Sequence, residues 1–391
     1  MDIQTLKGFR DFLPKDVRKR NYVINHLKRV FESYGFEPLE TPVLEYQEIL
    51  MGKYGEEGEK LMYKFEDNGG RRVAMRYDQT VPLARVIAQY ANDLPLPFKR
   101  YQVQNVYRAE NTQQGRYREF LQVDIDTIGS SSPEADIEIA TLVLESYKKL
   151  GLKNILLEIN DRSNFKNLEP KYITSLDRVK KIGTESVIME LVDKGMTQEN
   201  ARTLLDKLLN SPMPDNLNII FDGLESLGLK RGTDFEYIPT LARGLDYYTG
   251  PIFEIYSADY ESALGGGGRY DKLIGMFAEN QASAVGFSFG FDRIVEAMIM
   301  LGLFPEDLGG TEILVTNTSD RSAKIAGEIR SKNINTELYV DQRDLEKQLK
   351  YADKKQIPYV VIVTNQSLTL KNMKSGEKKE ITLENLPNEL R

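Results

Sequence analysis

A short linker at residues 305–310 divides the sequence into two parts with different element patterns. After the linker, strand-like and helical runs alternate, with strands at 312–316, 335–339 and 359–364 and helices at 323–331 and 345–355. Strands that alternate with helices favour a largely parallel sheet covered by those helices. The sequence therefore predicts a small α/β domain over residues 311–391.

Upstream of the linker, the strands do not alternate regularly with helices. A helix is predicted from residue 16 to 34, between Pro14 and Gly35, and another begins at Pro133. Runs that mix β-branched, aromatic and polar residues predict strands at 72–76, 100–107, 120–128, 155–159, 235–238, 252–256 and 284–289. Four consecutive glycines at 265–268 predict a turn. This order of elements predicts an α+β fold.

Residues 168–230 change character and become helical in pattern, with many Lys, Glu and Leu residues. Thr197 caps one of the predicted helices there. We therefore predict a helical insertion that splits the larger domain into two parts. The predicted boundaries are 1–165 for the first part, 166–232 for the insertion, 233–305 for the second part and 311–391 for the C-terminal domain.

The residue types exclude several kinds of chemistry. The chain has no cysteine and a single histidine, His26, which lies off the apolar stripe of its helix. Catalysis by an imidazole base and a metal site built from protein His or Cys ligands are therefore not expected. The net charge of −7 argues against nonspecific nucleic-acid binding, although residues 311–391 have a slight basic excess.

No apolar run approaches the length of a membrane span, and the first residues lack the apolar core of a signal peptide. We therefore expect a cytoplasmic protein with no membrane partner.

A predicted hairpin at residues 98–128 carries the first candidate site. Its two strands and polar loop bring Arg108, Arg116 and Phe120 towards one place. Arginine holds phosphate in a bidentate manner, and phenylalanine can stack on a purine. A charged hairpin with one solvated face is the alternative interpretation.

A second candidate is the run at 286–293, GFSFGFDR, in which glycines flank an apolar strand that leads into a helix at Asp292. Close backbone approach there would let a base lie on the strand with Arg293 over it. A core strand that tolerates glycine is the alternative for this run considered by itself.

Together and in this order, the two runs resemble motifs 2 and 3 of the class II aminoacyl-tRNA synthetases. Residues 35–42, with Pro38 and Pro42, are similar to motif 1, whose strand lies at the dimer interface in that family. The resemblance implies an antiparallel-sheet catalytic domain, a homodimer and a C-terminal domain similar to an anticodon-binding domain.

Further runs resemble the histidyl-tRNA synthetase family. RGLDYYT at 243–249 with GPIFE at 250–254 resembles the first histidine-specific signature, and ALGGGGRYD at 263–271 resembles the second. KGFRDFLP at 7–14 is similar to the start of that family. The resemblance covers essentially the whole chain.

The resemblance implies roles for matching positions. The catalytic pair would be Arg108 and Arg243, on the α-phosphate of ATP. The remaining roles would fall to Glu110, Arg116, Phe120 and Arg293 for the rest of ATP; to Asp78, Thr80, Gln122, Asp126, Tyr247 and Tyr248 for histidine; and to Gln113 and Arg118 for the tRNA acceptor end.

The implied reaction is ATP- and Mg²⁺-dependent activation of L-histidine to histidyl-adenylate, followed by transfer to the 3′ end of tRNA(His). A carboxylate is already a nucleophile, so the reaction needs orientation and neutralisation of charge rather than a base. Fixed arginines supply both.

The sequence departs from the bacterial pattern in the motif 2 loop, NTQQG at 111–115, and in YDQT at 77–80. Two other functions remain open. One is a non-catalytic relative, the regulatory subunit of ATP phosphoribosyltransferase, which shares this catalytic fold but generally lacks the C-terminal domain. The other is an RNA-binding module on a synthetase scaffold, which the acidic balance and the complete set of ATP motifs disfavour.

Overall fold

The structure, a computed structural model, describes residues 3–52, 55–112, 116–166, 168–243, 247–277, 282–341 and 344–390. The chain divides into two compact units, Met1–Phe304 and Pro305–Arg391. None of the helices in the described part of the chain is long and apolar enough to cross a membrane.

The first unit contains eleven α-helices among its described residues: α1 (Pro14–Ser33), α2 (Gln47–Leu50), α3 (Gly55–Lys60), α4 (Thr80–Gln89), α5 (Pro133–Lys149), α6 (Pro170–Leu176), α7 (Val179–Ile182), α8 (Thr184–Asp193), α9 (Gln198–Leu209), α10 (Asp215–Ser226) and α11 (Phe291–Met300). Several of them begin where the sequence places a helix-starting residue. Pro14 and Pro133 occupy first-turn positions, where the missing N–H has no consequence.

The strands of this unit are β1 (Glu37–Pro38), β2 (Leu44–Tyr46), β3 (Lys64–Glu66), β4 (Arg72–Met75), β5 (Phe98–Tyr107), β6 (Glu119–Ile128), β7 (Ile155–Asp161), β8 (Phe235–Tyr237), β9 (Pro251–Ser257), β10 (Tyr260–Arg269) and β11 (Ala284–Phe289). Eight of them form one sheet in the order β1-β5-β6-β11-β10-β9-β7-β8. Its pairs are antiparallel except β1–β5 and β7–β8 at the two edges. The predicted α+β class with an antiparallel sheet is confirmed.

Because side chains alternate along each strand, the two faces of this sheet carry different kinds of residues. Val123 and Ile125 of β6 are fully buried in a core that also contains Phe31 of α1 and Tyr147 of α5. Residues 122, 124 and 126 must therefore point to the other face. The main core therefore covers one face of β6, and the polar residues of the other face are available to line a cavity.

The register of the central strands fixes which polar residues meet on that second face. Arg100 of β5 is opposite Asp126 of β6, and Gly286 of β11 is opposite Asp126 on the other side. The same ladder places Gln102 and Ser288 on either side of Asp124. Three neighbouring strands thus deliver a row of buried polar groups to one place.

Helices α6 to α9 pack their apolar residues into a cluster that includes Leu241, Ala242 and Tyr248, which come after the helical segment in the chain. Helix α10 packs on α5 instead, with Phe221 and Leu224 in the main core. The helices of residues 170–226 therefore share cores with the sheet rather than enclosing one of their own. The boundaries 166–232 for an inserted domain stay a prediction.

The second unit has a five-stranded sheet in the order β13-β12-β14-β15-β16. Its elements are β12 (Ile313–Val315), α12 (Ser322–Arg330), β13 (Thr336–Leu338), α13 (Leu345–Lys354), β14 (Tyr359–Val363), β15 (Leu368–Asn372), β16 (Lys378–Ile381) and α14 (Leu386–Glu389). Strands β12, β13 and β14 are parallel, as the alternating pattern predicts, and β15 and β16 extend the sheet in antiparallel fashion.

Candidate active site

A cavity of about 420 Å³ opens on the polar face of the eight-stranded sheet. Twelve of the fourteen residues that the sequence assigns to the site line it: Asp78, Thr80, Arg108, Glu110, Arg116, Phe120, Gln122, Asp126, Arg243, Tyr247, Tyr248 and Arg293. Gln113 lies outside the described residues. Arg118 is absent from the lining, and its Nε donates instead to the backbone oxygen of Glu110 at 3.1 Å.

Glycines of β10 and β11 form the floor of this cavity. A Cβ on Gly266 would lie 1.8 Å from Nη1 of Arg243, and one on Gly286 would lie 1.9 Å from Oδ1 of Asp126. Only glycine leaves room for these side chains. The turn predicted at 265–268 is wrong, because these glycines lie within the second half of strand β10.

One end of the cavity, which we call the acidic pocket, is built around Asp126. Oδ2 of Asp126 lies 2.6 Å from Nη2 of the fully buried Arg100, and the hydroxyl of Tyr270 donates to its Oδ1. Desolvation raises the pKa of Asp126 to about 6, against the opposing effect of Arg100. Arg100 and Tyr270 thus hold this carboxylate in a fixed orientation.

Asp124, which sequence reasoning missed, is the second carboxylate of the acidic pocket. It is 3% exposed, and its Oδ2 accepts a hydrogen bond of 2.8 Å from Nε2 of Gln122. Burial raises its pKa to about 7, the largest influence, while the nearby Arg100 acts in the opposite direction. The signal was present in the sequence, since residues 122, 124 and 126 alternate along one strand and share a face.

Asp78 closes the acidic pocket from the start of α4. Its Oδ1 accepts the backbone N–H groups of Thr80 and Val81, both at 3.1 Å, so one carboxylate oxygen caps the helix. The rings of Tyr247 and Tyr248 lie 5.0 Å apart beside it. Burial raises the pKa of both phenols, which therefore remain neutral hydrogen-bonding groups.

The other end of the cavity, which we call the arginine end, is less buried. Nε of Arg108 donates to the backbone oxygen of Tyr77 at 3.0 Å, and its guanidinium lies 5.1 Å from the ring centroid of Phe120. Nη1 of Arg293 donates to the backbone oxygen of Ala263 at 2.8 Å. Both arginines are therefore oriented by the main chain, which leaves their remaining N–H groups for a ligand.

Arg116 and Glu110 form a loose pair at the mouth of the arginine end. Nη1 of Arg116 lies 3.7 Å from Oε2 of Glu110, and the arginine side chain is 58% exposed. A pair of this length and exposure contributes little to stability. Arg116 is therefore free to reach towards a phosphate.

Arg243 lies between the two ends and is held by groups that sequence reasoning did not identify. Its Nη1 donates to Oε1 of Glu254 at 2.9 Å, and Oε2 of Glu254 accepts from the hydroxyl of Tyr256 at 2.5 Å. The preceding backbone N–H, that of Ala242, donates to Asp177 at 2.9 Å. Residues 244–246 of the same signature lie outside the described residues.

This arrangement separates charge along one cavity. Arginines line one end, where they suit a polyphosphate, and carboxylates and phenols line the other, where they suit a cationic or hydrogen-bonding ligand. Among the residues that the structure describes, no group of three or more His, Cys, Asp or Glu side chains is placed to hold a metal ion.

Comparison with known proteins finds similar proteins and family models along nearly the whole chain. A family model described as histidyl-tRNA synthetase matches residues 8–176 and 165–294, and one described as anticodon binding domain matches residues 311–391. A histidine–tRNA ligase of Christiangramia forsetii is 37% identical and covers 98% of each chain. One of Cytophaga hutchinsonii is 36% identical, also over 98% of each chain.

Solved structures extend the comparison to the fold. A histidyl-tRNA synthetase from Nostoc sp. PCC 7120 has a TM-score of 0.83 and 28% identity, over 100% of this chain and 99% of that one. A protein from Bacillus halodurans described as an ATP phosphoribosyltransferase regulatory subunit/histidyl-tRNA synthetase has a TM-score of 0.72, over 92% of this chain and 98% of that one. Its identity of 22% shows a shared fold alone.

Proposed function

The chain belongs to the histidyl-tRNA synthetase family, and from this premise we propose that it activates histidine with ATP and transfers it to the 3′ end of tRNA(His). It is an enzyme, a histidine–tRNA ligase in its chemistry, as are the relatives that match it over nearly its full length. The observation that carries the proposal is the single cavity in which an arginine end meets an acidic pocket. The regulatory-subunit alternative is less supported, because residues 311–391 match an anticodon-binding domain.

In the first step, a carboxylate oxygen of histidine attacks the α-phosphorus of ATP. A bond forms between the carboxylate oxygen of histidine and the α-phosphorus. The bond between the α-phosphorus and the oxygen that bridges to the β-phosphorus breaks, and pyrophosphate leaves with that electron pair. Arg108 and Arg243 would neutralise the charge that grows on the α-phosphate oxygens. No proton is transferred from the nucleophile, so no general base is required.

Adenine and the outer phosphates would occupy the arginine end. Phe120 offers a ring face for stacking, and Arg108 lies over that same ring, which suits the short distance between a base and its α-phosphate. Arg116 and Arg293 would hold the outer phosphates or flank the base. Glu110, paired loosely with Arg116, would help to shape this part of the site.

Histidine would lie with its ring in the acidic pocket. Asp126 and Tyr248 are proposed to bind the two ring nitrogens, with Tyr247 nearby, while Asp78, Thr80 and Gln122 bind the α-amino end. An apolar amino acid in this pocket would leave buried polar groups without partners, which costs about 1–3 kcal/mol for each group. That penalty is the proposed source of specificity for histidine.

Magnesium is proposed to arrive with ATP as its phosphate-bound complex. Mg²⁺ usually takes one or two protein carboxylates in addition to phosphate oxygens, so a dedicated cluster of three protein ligands is not required. The carboxylate of Glu110, beside Arg116, is suited to this contact. The enzyme is proposed to work in the cytoplasm, where tRNA is charged.

The tRNA is proposed to contact both units. Gln113 and Arg118 are the predicted residues for its acceptor end, and residues 311–391 are proposed to bind its anticodon. A chain cut after residue 304 is expected to keep pyrophosphate exchange and to charge tRNA with a raised KM and a weaker dependence on salt. If the folded fragment charges tRNA as well as the full chain does, the second unit does not bind tRNA.

A homodimer is proposed from the apolar surface around the motif-1-like segment. Leu44 and Tyr46 of β2 are 42% and 52% exposed, and Phe65 of β3 is 46% exposed on the same small sheet. A neighbouring copy would cover such a strand surface. Light scattering at micromolar concentration is expected to give twice the mass of one chain, and a stable mass of 44.7 kDa would contradict it.

Pyrophosphate exchange tests the central proposal. We expect the chain to exchange labelled pyrophosphate into ATP with histidine and Mg²⁺, and with no other amino acid to a comparable extent. Exchange that is equal for all twenty amino acids, or absent with histidine, would refute it.

A further inference from the structure

The N-terminal residues 8–13, which we call the strap, lie against the described part of the β5–β6 loop, which is residues 108–112 and 116–118. The backbone N–H of Arg118 donates to the backbone oxygen of Gly8 at 2.9 Å. Gly8 has φ of +89°, and a Cβ there would lie 2.7 Å from both Cγ of Arg118 and Cγ2 of Thr112. The strap therefore fits the loop only with a glycine at this position.

Arg10 of the strap reaches both elements that supply the arginine end. Its guanidinium carbon lies 3.3 Å from the ring centroid of Tyr117 in the β5–β6 loop. Its Nη2 lies 2.9 Å from Oδ2 of Asp292, in the first turn of α11. The two contacts use different properties of one group, because a planar guanidinium can stack with its face while it donates with its edge.

Asp292 is held on its other side as well. Nη1 of Arg20, in α1, lies 2.5 Å from Oδ1 of Asp292. Asp292 precedes Arg293, and both of them line the cavity together with Tyr117. Arg10 is thus linked to the loop that carries Arg116 and to the helix turn that carries Arg293.

We propose that Arg10 is a positioning residue for ATP, which sets the separation between Tyr117 in the β5–β6 loop and Asp292 at the start of α11. This inference rests on the proposed binding of ATP at the arginine end. Residues 116–118, held in this way, lose less conformational freedom when the nucleotide binds, so the strap lowers the cost of assembling the site. The acidic pocket makes none of these contacts among the residues described.

The matched pair Arg10→Ala and Arg20→Ala tests the proposal. Both variants remove one arginine from Asp292, but Arg20 contacts the rings of Phe12 and Phe291 rather than Tyr117. In pyrophosphate exchange, Arg10→Ala is expected to raise the KM for ATP about tenfold and to leave the KM for histidine within about twofold. Arg20→Ala should raise the KM for ATP by less than about threefold.

Two further variants separate positioning from folding. Arg10→Lys keeps the charge beside Asp292 and loses the planar stack, so it should recover only part of the ATP affinity. Tyr117→Leu removes the stack from the loop side, and its effect should not add to that of Arg10→Ala.

Several outcomes would overturn the inference. They are an unchanged KM for ATP in Arg10→Ala, an equal rise for ATP and histidine, or fully additive effects of Arg10→Ala and Tyr117→Leu. Tyr117→Leu keeps the test available if Arg10→Ala does not fold, since an unchanged KM for ATP in that variant also contradicts the inference. Failure of the parent proposal is separate, because it would show as no histidine-dependent exchange in the unaltered chain.

Discussion

The two ends of the cavity are built by different means. In the acidic pocket, Arg100, Asp124 and Asp126 are each at most 4% exposed and are held by buried neighbours. At the arginine end, Arg116 is 58% exposed, and its nearest carboxylate oxygen is 3.7 Å away. The acidic pocket is assembled from buried groups, whereas the arginine end has an exposed arginine at its mouth.

The difference corresponds to what each end has to recognise. A ring with two nitrogens must be distinguished from apolar rings of similar size, and only fixed polar groups achieve this. A triphosphate is identified by its charge, so an exposed arginine such as Arg116 can bind it without a buried partner. Changes in the acidic pocket should therefore affect folding and histidine together, and changes at the arginine end should affect ATP alone.

The largest effect is expected for Arg100→Leu. It removes the cation from Asp126 and leaves a buried carboxylate without its ion pair, which typically costs about 3–5 kcal/mol. Urea unfolding at pH 8, where Asp126 is ionised, should show this loss in the free energy of unfolding. A loss below about 1 kcal/mol would mean that the acidic pocket is not the rigid end of the cavity.

Arg243→Lys should lower the rate of the first step by about 10²–10³. Lysine keeps the charge but not the planar fork that Glu254 orients and that fits a phosphate. Because the contact acts in the transition state, kcat should fall while the KM for histidine changes little. Turnover within about threefold of the unaltered chain would show that Arg243 does not bind the α-phosphate.

Asp124→Asn should change the pH dependence of stability. The pKa of Asp124 is raised in the folded chain, so the folded state binds this proton more tightly than the unfolded state does. The tighter proton binding contributes to the free energy of unfolding. This contribution is complete below the unfolded pKa of about 4 and is lost as pH rises through the folded pKa of about 7. The unaltered chain should lose more than about 1 kcal/mol of unfolding free energy between pH 4.5 and 7.5 relative to Asp124→Asn.

The exposed Glu185, at the surface of α8, supplies a matched control for that pH series. Glu185→Gln is expected to follow the unaltered chain at every pH. If Asp124→Asn also follows it, Asp124 does not titrate in this range.

The smallest effect on stability is expected for Arg116→Ala. The free energy of unfolding should stay within about 0.5 kcal/mol, since the pair with Glu110 is long and exposed. The KM for ATP should rise about tenfold, as expected for one charged hydrogen bond to phosphate. Equal losses of stability in Arg116→Ala and Arg100→Leu would contradict the proposed difference between the acidic pocket and the arginine end.

Sequence reasoning reached the fold class and most of the cavity lining because both depend on local patterns and on long motifs. The hairpin of β5 and β6 could be predicted from its alternation, and its face carries Gln122 and Asp126. The glycines at 265–268 led to a wrong prediction of a turn. Glycine occurs both in turns and in strands where neighbours leave no room for a side chain, and only tertiary contacts distinguish the two cases.

Other features depend on contacts that no local pattern contains. Arg10 and Asp292 are 282 positions apart in the chain, and Arg243 meets Glu254, which belongs to a different element, strand β9. Arg100 lies within the predicted strand 100–107, but nothing in that run indicates that its guanidinium is buried beside Asp126.

Asp78 gives one oxygen to the first turn of α4, so the residue proposed to meet the amino group of histidine also begins a helix. The hydrogen exchange rates of the Thr80 and Val81 amides consequently report on the position of the Asp78 carboxylate. Their exchange with deuterated water follows how firmly Asp78 is held, and it can be followed without labelled substrate or turnover. Helix α4 also carries Arg85, which pairs at 2.6 Å with Glu45 in the middle of the apolar strand β2. Helix α4 thus joins the catalytic cavity to the small sheet at whose surface a second chain is expected, and the two amides report on its cavity end.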